Sequence, residues 1–145
     1  MANKHEPHHF AKDQTGSRQE IADYMSSPVL SINSSATVKE AAKLMTENNL
    51  GSLLVKGNGT YDGIVTETDL TRRVIGKGLN PETTQINLVM SQPIQTLDCH
   101  RPVTEANSFM AQKKIRHLAI TDNGVIVGML SVRDLVSFFA NPRLR

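Results

Sequence analysis

The sequence predicts an α+β protein made of two copies of one small unit, each a short mixed sheet with helices, and three observations carry that prediction. Sliding the 145-residue chain by 65 positions aligns 14 identical pairs among the 54 positions from Ile21 to Val74, where typical composition gives about three. Within each copy, apolar residues recur first at helical and then at strand spacing. Both copies carry an Asn-Gly pair between their last two strand-like runs, Asn58-Gly59 and Asn123-Gly124, and Asn-Gly marks a tight hairpin.

The elements follow in order. Residues 1–17 hold His5, His8 and His9 among polar neighbours without periodicity, and read as a flexible tail. The first unit is expected over residues 18–80 and the second over 81–145, with a short basic end at Arg143 and Arg145. Each copy opens on a helix-like segment ending at Met25-Ser26 or Met90-Ser91, then Pro28 or Pro93 and an extended piece, Val29 to Ile32 or Ile94 to Leu97. Proline argues against a continuous helix at that point.

Thr37-Val38-Lys39-Glu40 has the spacing of a capping box, and Val38, Ala41, Ala42 and Met45 form an apolar stripe over about three helical turns. In the second copy Pro102 replaces the threonine, which a first helical turn tolerates, and Val103, Ala106 and Met110 continue the stripe. Strands are expected at Ser52 to Val55 and Tyr61 to Val65, and again at Leu118 to Ile120 and Val125 to Leu130. Helices follow from Thr66 to about Val74 and from Ser131 to about Ala140, and residues 75–85 connect the copies. Either copy alone would leave faces poorly covered, so a shared core is expected.

Composition narrows the function. Hydrophobic residues make up 39% of the chain, with six aromatics and no Trp, so the core is aliphatic and the chain is neither disordered nor fibrous. A net charge of +2 does not imply a dedicated nucleic-acid surface. The imbalance is local: residues 1–72 carry seven basic and nine acidic side chains, residues 73–145 nine and five. The single cysteine, Cys99, excludes an intrachain disulfide and reads as a small buried filler. No apolar run approaches bilayer-spanning length and the start lacks a signal-peptide core, so a cytoplasmic protein is expected.

Chemistry concentrates at the two strand-to-helix junctions, Gly63-x-x-Thr66-x-x-Asp69 and Gly128-x-x-Ser131-x-x-Asp134. There a hydroxyl and a carboxylate stand beside the unpaired N–H groups of a first helical turn. A carboxylate can accept two ribose hydroxyls, yet both pairs read equally well as helix caps. Arg133, Arg116 and His117 add charge near the second junction and suit phosphate. Neither the histidines of the tail nor Cys99-His100 implies a metal or cofactor, and no complete catalytic constellation is present. Met25, Met45, Met90 and Met110 read as packing residues.

The segments Asp23 to Pro28, Gly51 to Val55, Gly63 to Leu70, Lys114 to Leu118 and Gly128 to Leu135, in that order and repeated, resemble the tandem cystathionine-β-synthase (CBS) domain family, the Bateman module. That resemblance covers roughly residues 18 to 140. It implies a noncatalytic sensor of two domains packed about a pseudo-two-fold axis, dimerising into a disc, with an adenosine-containing ligand such as AMP, ADP or ATP in clefts between the domains. It places Thr66 and Asp69 in one cleft with Pro102 and Ala106, and Ser131 and Asp134 in the other with Thr37 and Ala41. Arg116 and His117 can supply charge to either ligand, with the Asp134 cleft the preferred assignment; Arg133 goes with that cleft, and Val29, Ile64, Ile94 and Met129 are candidates for the adenine slot. The expected protein is a standalone regulatory homodimer that signals to an effector protein. An interaction module with empty clefts is the alternative, and a nucleic-acid binder the least favoured one.

Overall fold

The computed structural model describes residues 19–140, which divide into two compact units. The expected tail with its histidines, and the end at Asn141-Pro142 with Arg143 and Arg145, lie outside the described residues. One unit is contiguous, Leu30–Ile94, and the other is split, joining the described residues up to Val29 to those from Gln95 onward.

The contiguous unit holds β1 (Ser31–Asn33), α1 (Val38–Glu47), β2 (Ser52–Gly57), β3 (Thr60–Thr66) and α2 (Glu67–Asp69). A π-turn (Leu70–Val74) and 3-10 turns (Ile75–Lys77 and Ile86–Leu88) follow. β1 runs parallel to β2, and β2 antiparallel to β3, with a bulge between Val55 and Lys56. α1 forms where its capping box predicts: Thr37 Oγ1 accepts from the Glu40 N–H at 3.1 Å, and Glu40 Oε1 accepts from the Thr37 N–H at 2.9 Å. Its stripe of Val38, Ala41 and Met45 is buried, a one-sided face that fixes the helix on the sheet.

The split unit repeats the plan with β4 (Thr96–Asp98), α3 (Val103–Lys113), β5 (His117–Asp122), β6 (Val125–Ser131) and α4 (Val132–Phe139), preceded by a 3-10 turn at Ile21–Asp23. Its sheet has the same order, β4 parallel to β5 and β5 antiparallel to β6, with a bulge between Ile120 and Thr121. Pro102 stands at the N-cap of α3 with no side-chain hydrogen bond. Both Asn-Gly hairpins close with positive φ at both residues, 48° and 85° at Asn58-Gly59 and 55° and 81° at Asn123-Gly124, the turn whose twist matches that of the strands.

Two expectations need correction. The extended pieces begin later than Val29 and Ile94, at Ser31 and Thr96, with the Leu30 and Gln95 carbonyls just before them accepting from the Leu54 and Ala119 N–H groups. The helix expected from Thr66 to Val74 is α-helical only over Glu67–Asp69 before widening into the π-turn. Each unit has a cluster of buried residues of its own: Val38, Leu53, Val55, Val65, Val74 and Ile86 in the contiguous unit, and Ile21, Cys99, Val103, Leu118, Ile120 and Leu130 in the split one.

The units also cut across the 18–80 and 81–145 division that the repeat suggests, because the opening segment of each copy folds onto the other copy's strands. The Ile21 and Ala22 N–H groups donate to the Arg101 and Cys99 carbonyls, and Ser26 exchanges backbone hydrogen bonds with Met129 at 2.8 and 2.9 Å. In the contiguous unit Ile86 and Asn87 donate to Ala36 and Ser34, and Ser91 pairs in the same way with Ile64 at 2.7 and 3.0 Å. Gly63 and Gly128 are the seats for these segments: a Cβ would stand 2.8 Å from Met90 Sδ and from the Ser91 carbonyl at Gly63, and 2.6 Å from Met25 Sδ and 2.9 Å from the Ser26 carbonyl at Gly128.

Candidate functional site

Both strand-to-helix junctions are reciprocal caps. At the contiguous unit's junction the Thr66 N–H and hydroxyl donate to Asp69 Oδ2 at 3.0 and 3.2 Å, and the Asp69 N–H donates to Thr66 Oγ1 at 3.2 Å. At the split unit's junction the Ser131 N–H and hydroxyl donate to Asp134 Oδ2 at 2.8 and 3.2 Å, and the Asp134 N–H donates to Ser131 Oγ at 3.3 Å. The cap reading of these residues is therefore correct for both copies, and it accounts for one carboxylate oxygen in each.

The second oxygen separates them. Asp69 is buried, at 5% exposure; its Oδ1 accepts from the Ser91 hydroxyl at 2.9 Å and lies 3.6 Å from Arg73 Nε. Arg73 in turn donates from Nη1 to the Met90 carbonyl at 3.0 Å, so the π-turn, the opening segment and the carboxylate form one braced group. Sixty-five residues on, Phe138 replaces Arg73 and is buried in the split unit's core. Ser26 corresponds to Ser91, but Asp134 is half-buried and its Oδ1 has no hydrogen-bond or ion-pair partner among the described residues.

The charge also differs. The copies place Arg116-His117 where Gly51-Ser52 stands, and Arg133 where Thr68 stands. His117 lies directly across the sheet from Ser131, a cross-strand pair on one face, and the Arg116 carbonyl accepts from the Val132 N–H at 3.0 Å, which fixes Arg116 beside the first turn of α4. Arg116 and Arg133 are exposed and form no ion pair among the described residues. A hollow of about 360 Å³ opens alongside, bordered by Arg116, Lys114, Val132 and Leu135.

The other expected site residues are less available. Thr37 is occupied as the cap of α1, and Ala41 and Ala106 are fully buried in their own units' cores. Pro102 is half-buried at the mouth of a second hollow of about 290 Å³. Val29, Ile94 and Met129 are half-buried, and Ile64 keeps 8% exposure. Sequence reasoning missed Ser91 and Arg73. The repeat offset was the signal for them, since it pairs Arg73 with an apolar residue and so flags the carboxylates as unequally held.

A family model described as CBS domain matches residues 21–76 and 85–141. The chain belongs to the CBS-domain family. CBS domain-containing protein YhcV of Bacillus subtilis is 30% identical over 115 residues, spanning 79% of this chain and 81% of that protein. The uncharacterized protein MK0525 of Methanopyrus kandleri is 35% identical over 102 residues, 69% of this chain, and the chain spans about half (52%) of that relative's length. Among solved structures, an uncharacterized conserved protein from Pyrococcus horikoshii superposes with a TM-score of 0.78 at 33% identity, covering 84% of this chain and 92% of that one. The hexameric CBS-CP12 protein from bloom-forming cyanobacteria gives a TM-score of 0.77 at 31% identity, covering 86% and 75%. Tandem CBS domains are noncatalytic regulatory modules, and that is the general class of this CBS pair. Among the described residues no helix is long and apolar enough to cross a membrane.

Proposed function

We propose that this CBS pair is a cytoplasmic regulatory module that binds an adenine nucleotide, AMP, ADP or ATP, at the Ser131–Asp134 junction and passes its occupancy, as a homodimer, to an effector protein. The observation that carries the reading is the Asp134 carboxylate. One oxygen is spent on the cap, while Oδ1 has no partner among the described residues and can accept ribose hydroxyls. Arg116 and Arg133 supply the positive charge for phosphate, with the Ser131 hydroxyl and His117 beside them. Thr37 and Ala41 enter the proposal through the family resemblance, as do Val29, Ile64, Ile94 and Met129 around the adenine.

The Thr66–Asp69 junction, with Pro102 and Ala106, is the weaker site in this proposal. A ribose there competes with the Ser91 hydroxyl and Arg73 for the Asp69 carboxylate, and no basic residue stands at the positions of Arg116 and Arg133. A ligand regulates only through unequal affinity for two states, so nucleotide must also shift assembly or partner affinity.

The test is calorimetric titration of the nucleotide-stripped chain with AMP, ADP and ATP, repeated for Asp134→Asn and Asp69→Asn. Saturable binding lost in Asp134→Asn and retained in Asp69→Asn is the expected result. Unchanged affinity in Asp134→Asn overturns the assignment, and no binding by the parent chain favours an interaction module with empty clefts.

A further inference from the structure

Five positions of the split unit carry groups suited to a transition metal, and the equivalent positions of the contiguous unit carry none of them. Glu20, Asp98, Cys99, His100 and Asp122 correspond to Gln85, Asn33, Ser34, Ser35 and Gly57. The backbone is the same in both: the Cys99 N–H donates to the Thr121 carbonyl at 2.8 Å as the Ser34 N–H does to Lys56 at 2.9 Å. Asp98 Oδ1 accepts from the His100 N–H at 2.8 Å as Asn33 Oδ1 does from Ser35 at 2.9 Å. A neutral amide and two hydroxyls thus satisfy this turn, and the carboxylate, thiol and imidazole exceed what the fold requires.

Those three groups converge. One ligand atom from each of Asp98, Cys99 and His100 lies within 4.8 Å of the others. Around His100, Glu20 Oε1 is 3.4 Å from Nδ1 and Asp122 Oδ1 is 3.7 Å from Nε2. A metal-bound imidazole characteristically gives its other nitrogen to a carboxylate, and both ring nitrogens have one at hand. The 290 Å³ hollow is bordered by Glu20 and His100, and His100 is exposed to solvent. Asp98 in the cluster, with Glu20 and Asp122 beside His100, puts negative charge around the site, which favours a cation, and a bound cation deprotonates its thiol.

We propose that Asp98, Cys99 and His100 bind one divalent transition-metal ion of the zinc class, with solvent completing the shell and Glu20 orienting the imidazole. A thiol, an imidazole and a carboxylate suit a borderline-soft ion that accepts four ligands. Tetrahedral bonds to such an ion set ligand atoms about 3.3–3.8 Å apart, so the side chains draw in by about 1 Å on binding. The thiol proton leaves to solvent as the sulfur–metal bond forms, without redox change.

Cobalt(II) titration of the chelator-treated 145-residue chain tests this site. Cys99 is the single cysteine, so a thiolate-to-cobalt charge-transfer band reports this site and is blind to His5, His8 and His9. The band is expected to saturate at one equivalent, yield to zinc, and persist when the three tail histidines are replaced by Ala. It is lost in Cys99→Ser, and affinity falls about 10- to 100-fold in Glu20→Gln and by at least that much in His100→Ala. His100 is exposed, so its variant remains informative if Cys99→Ser fails to fold. No charge-transfer band at saturating cobalt, or a band whose affinity is unchanged in His100→Ala and Asp98→Asn, overturns the proposal.

Discussion

Removing each junctional carboxylate in turn distinguishes a brace from a binding group. Asp69→Ala deletes the acceptor of the Thr66 N–H and hydroxyl, the Ser91 hydroxyl and the Arg73 ion pair. The lost cap costs about 1 kcal/mol. The part-buried Ser91 bond to a charged acceptor adds about 1.5–3 kcal/mol, while half-exposed Arg73 adds little because water replaces its partner. Asp134→Ala loses only the cap, about 1 kcal/mol. For a chain of this length, roughly 2–4 °C per kcal/mol places the melting temperature of Asp69→Ala about 5–15 °C below wild type and that of Asp134→Ala about 2–4 °C below it. Thermal denaturation followed by circular dichroism reads both. Equal losses, or a larger loss for Asp134→Ala, would refute the inference that only Asp69 is structurally committed.

Three further outcomes are expected. Gly128→Ala should destabilise the chain by about 1–3 kcal/mol in urea denaturation, because the Ser26 carbonyl as well as the mobile Met25 Sδ crowds a Cβ there; a Met25→Ala background should recover only part of the loss, and wild-type stability would contradict the close approach. A fragment spanning 30–94 should fold, whereas one spanning 18–80 should not: the latter lacks Ile86 and Val89, 0% and 2% exposed, whose burial contributes about 1.5–3 kcal/mol each, and matching helical circular dichroism from both fragments would contradict the unit boundaries. With its thiol raised from 9.0 to about 12, folded Cys99 keeps a proton that the unfolded chain releases, so in metal-free buffer stability should fall as pH rises from about 9 towards 12. Cys99→Ser should show a shallower decline in chemical denaturation at stepped pH, and identical slopes would show that the thiol is not buried as described.

Much of the fold was legible because its signals are local. The T-x-x-E box at Thr37, the Asn-Gly hairpins and the stripe of Val38, Ala41 and Met45 act within a few residues, and each produces the element it predicts. The sheet on which each opening segment folds was not legible. Ile21, Met25, Ser26 and Pro28 match Ile86, Met90, Ser91 and Pro93, so either opening segment suits either sheet by composition, and only three-dimensional pairing with Met129 or Ile64 decides. The junctions were half legible. Ser131 and Asp134 are named by spacing, but the brace on Asp69 depends on Ser91, 22 residues away, and on a π-turn that hydrophobic periodicity does not encode. Asp98, Cys99 and His100 were hidden by adjacency, since consecutive residues in a strand point apart and only the turn after β4 lets them converge.

Amide chemical-shift mapping of the ¹⁵N-labelled chain during AMP titration tests the central claim most directly. Saturable shifts centred on Ser131, Val132, Arg133, Asp134 and His117 are expected, with Thr66 to Asp69 moving later or not at all. Shifts led by Thr66 and Asp69 while Ser131 to Asp134 stay still would contradict it.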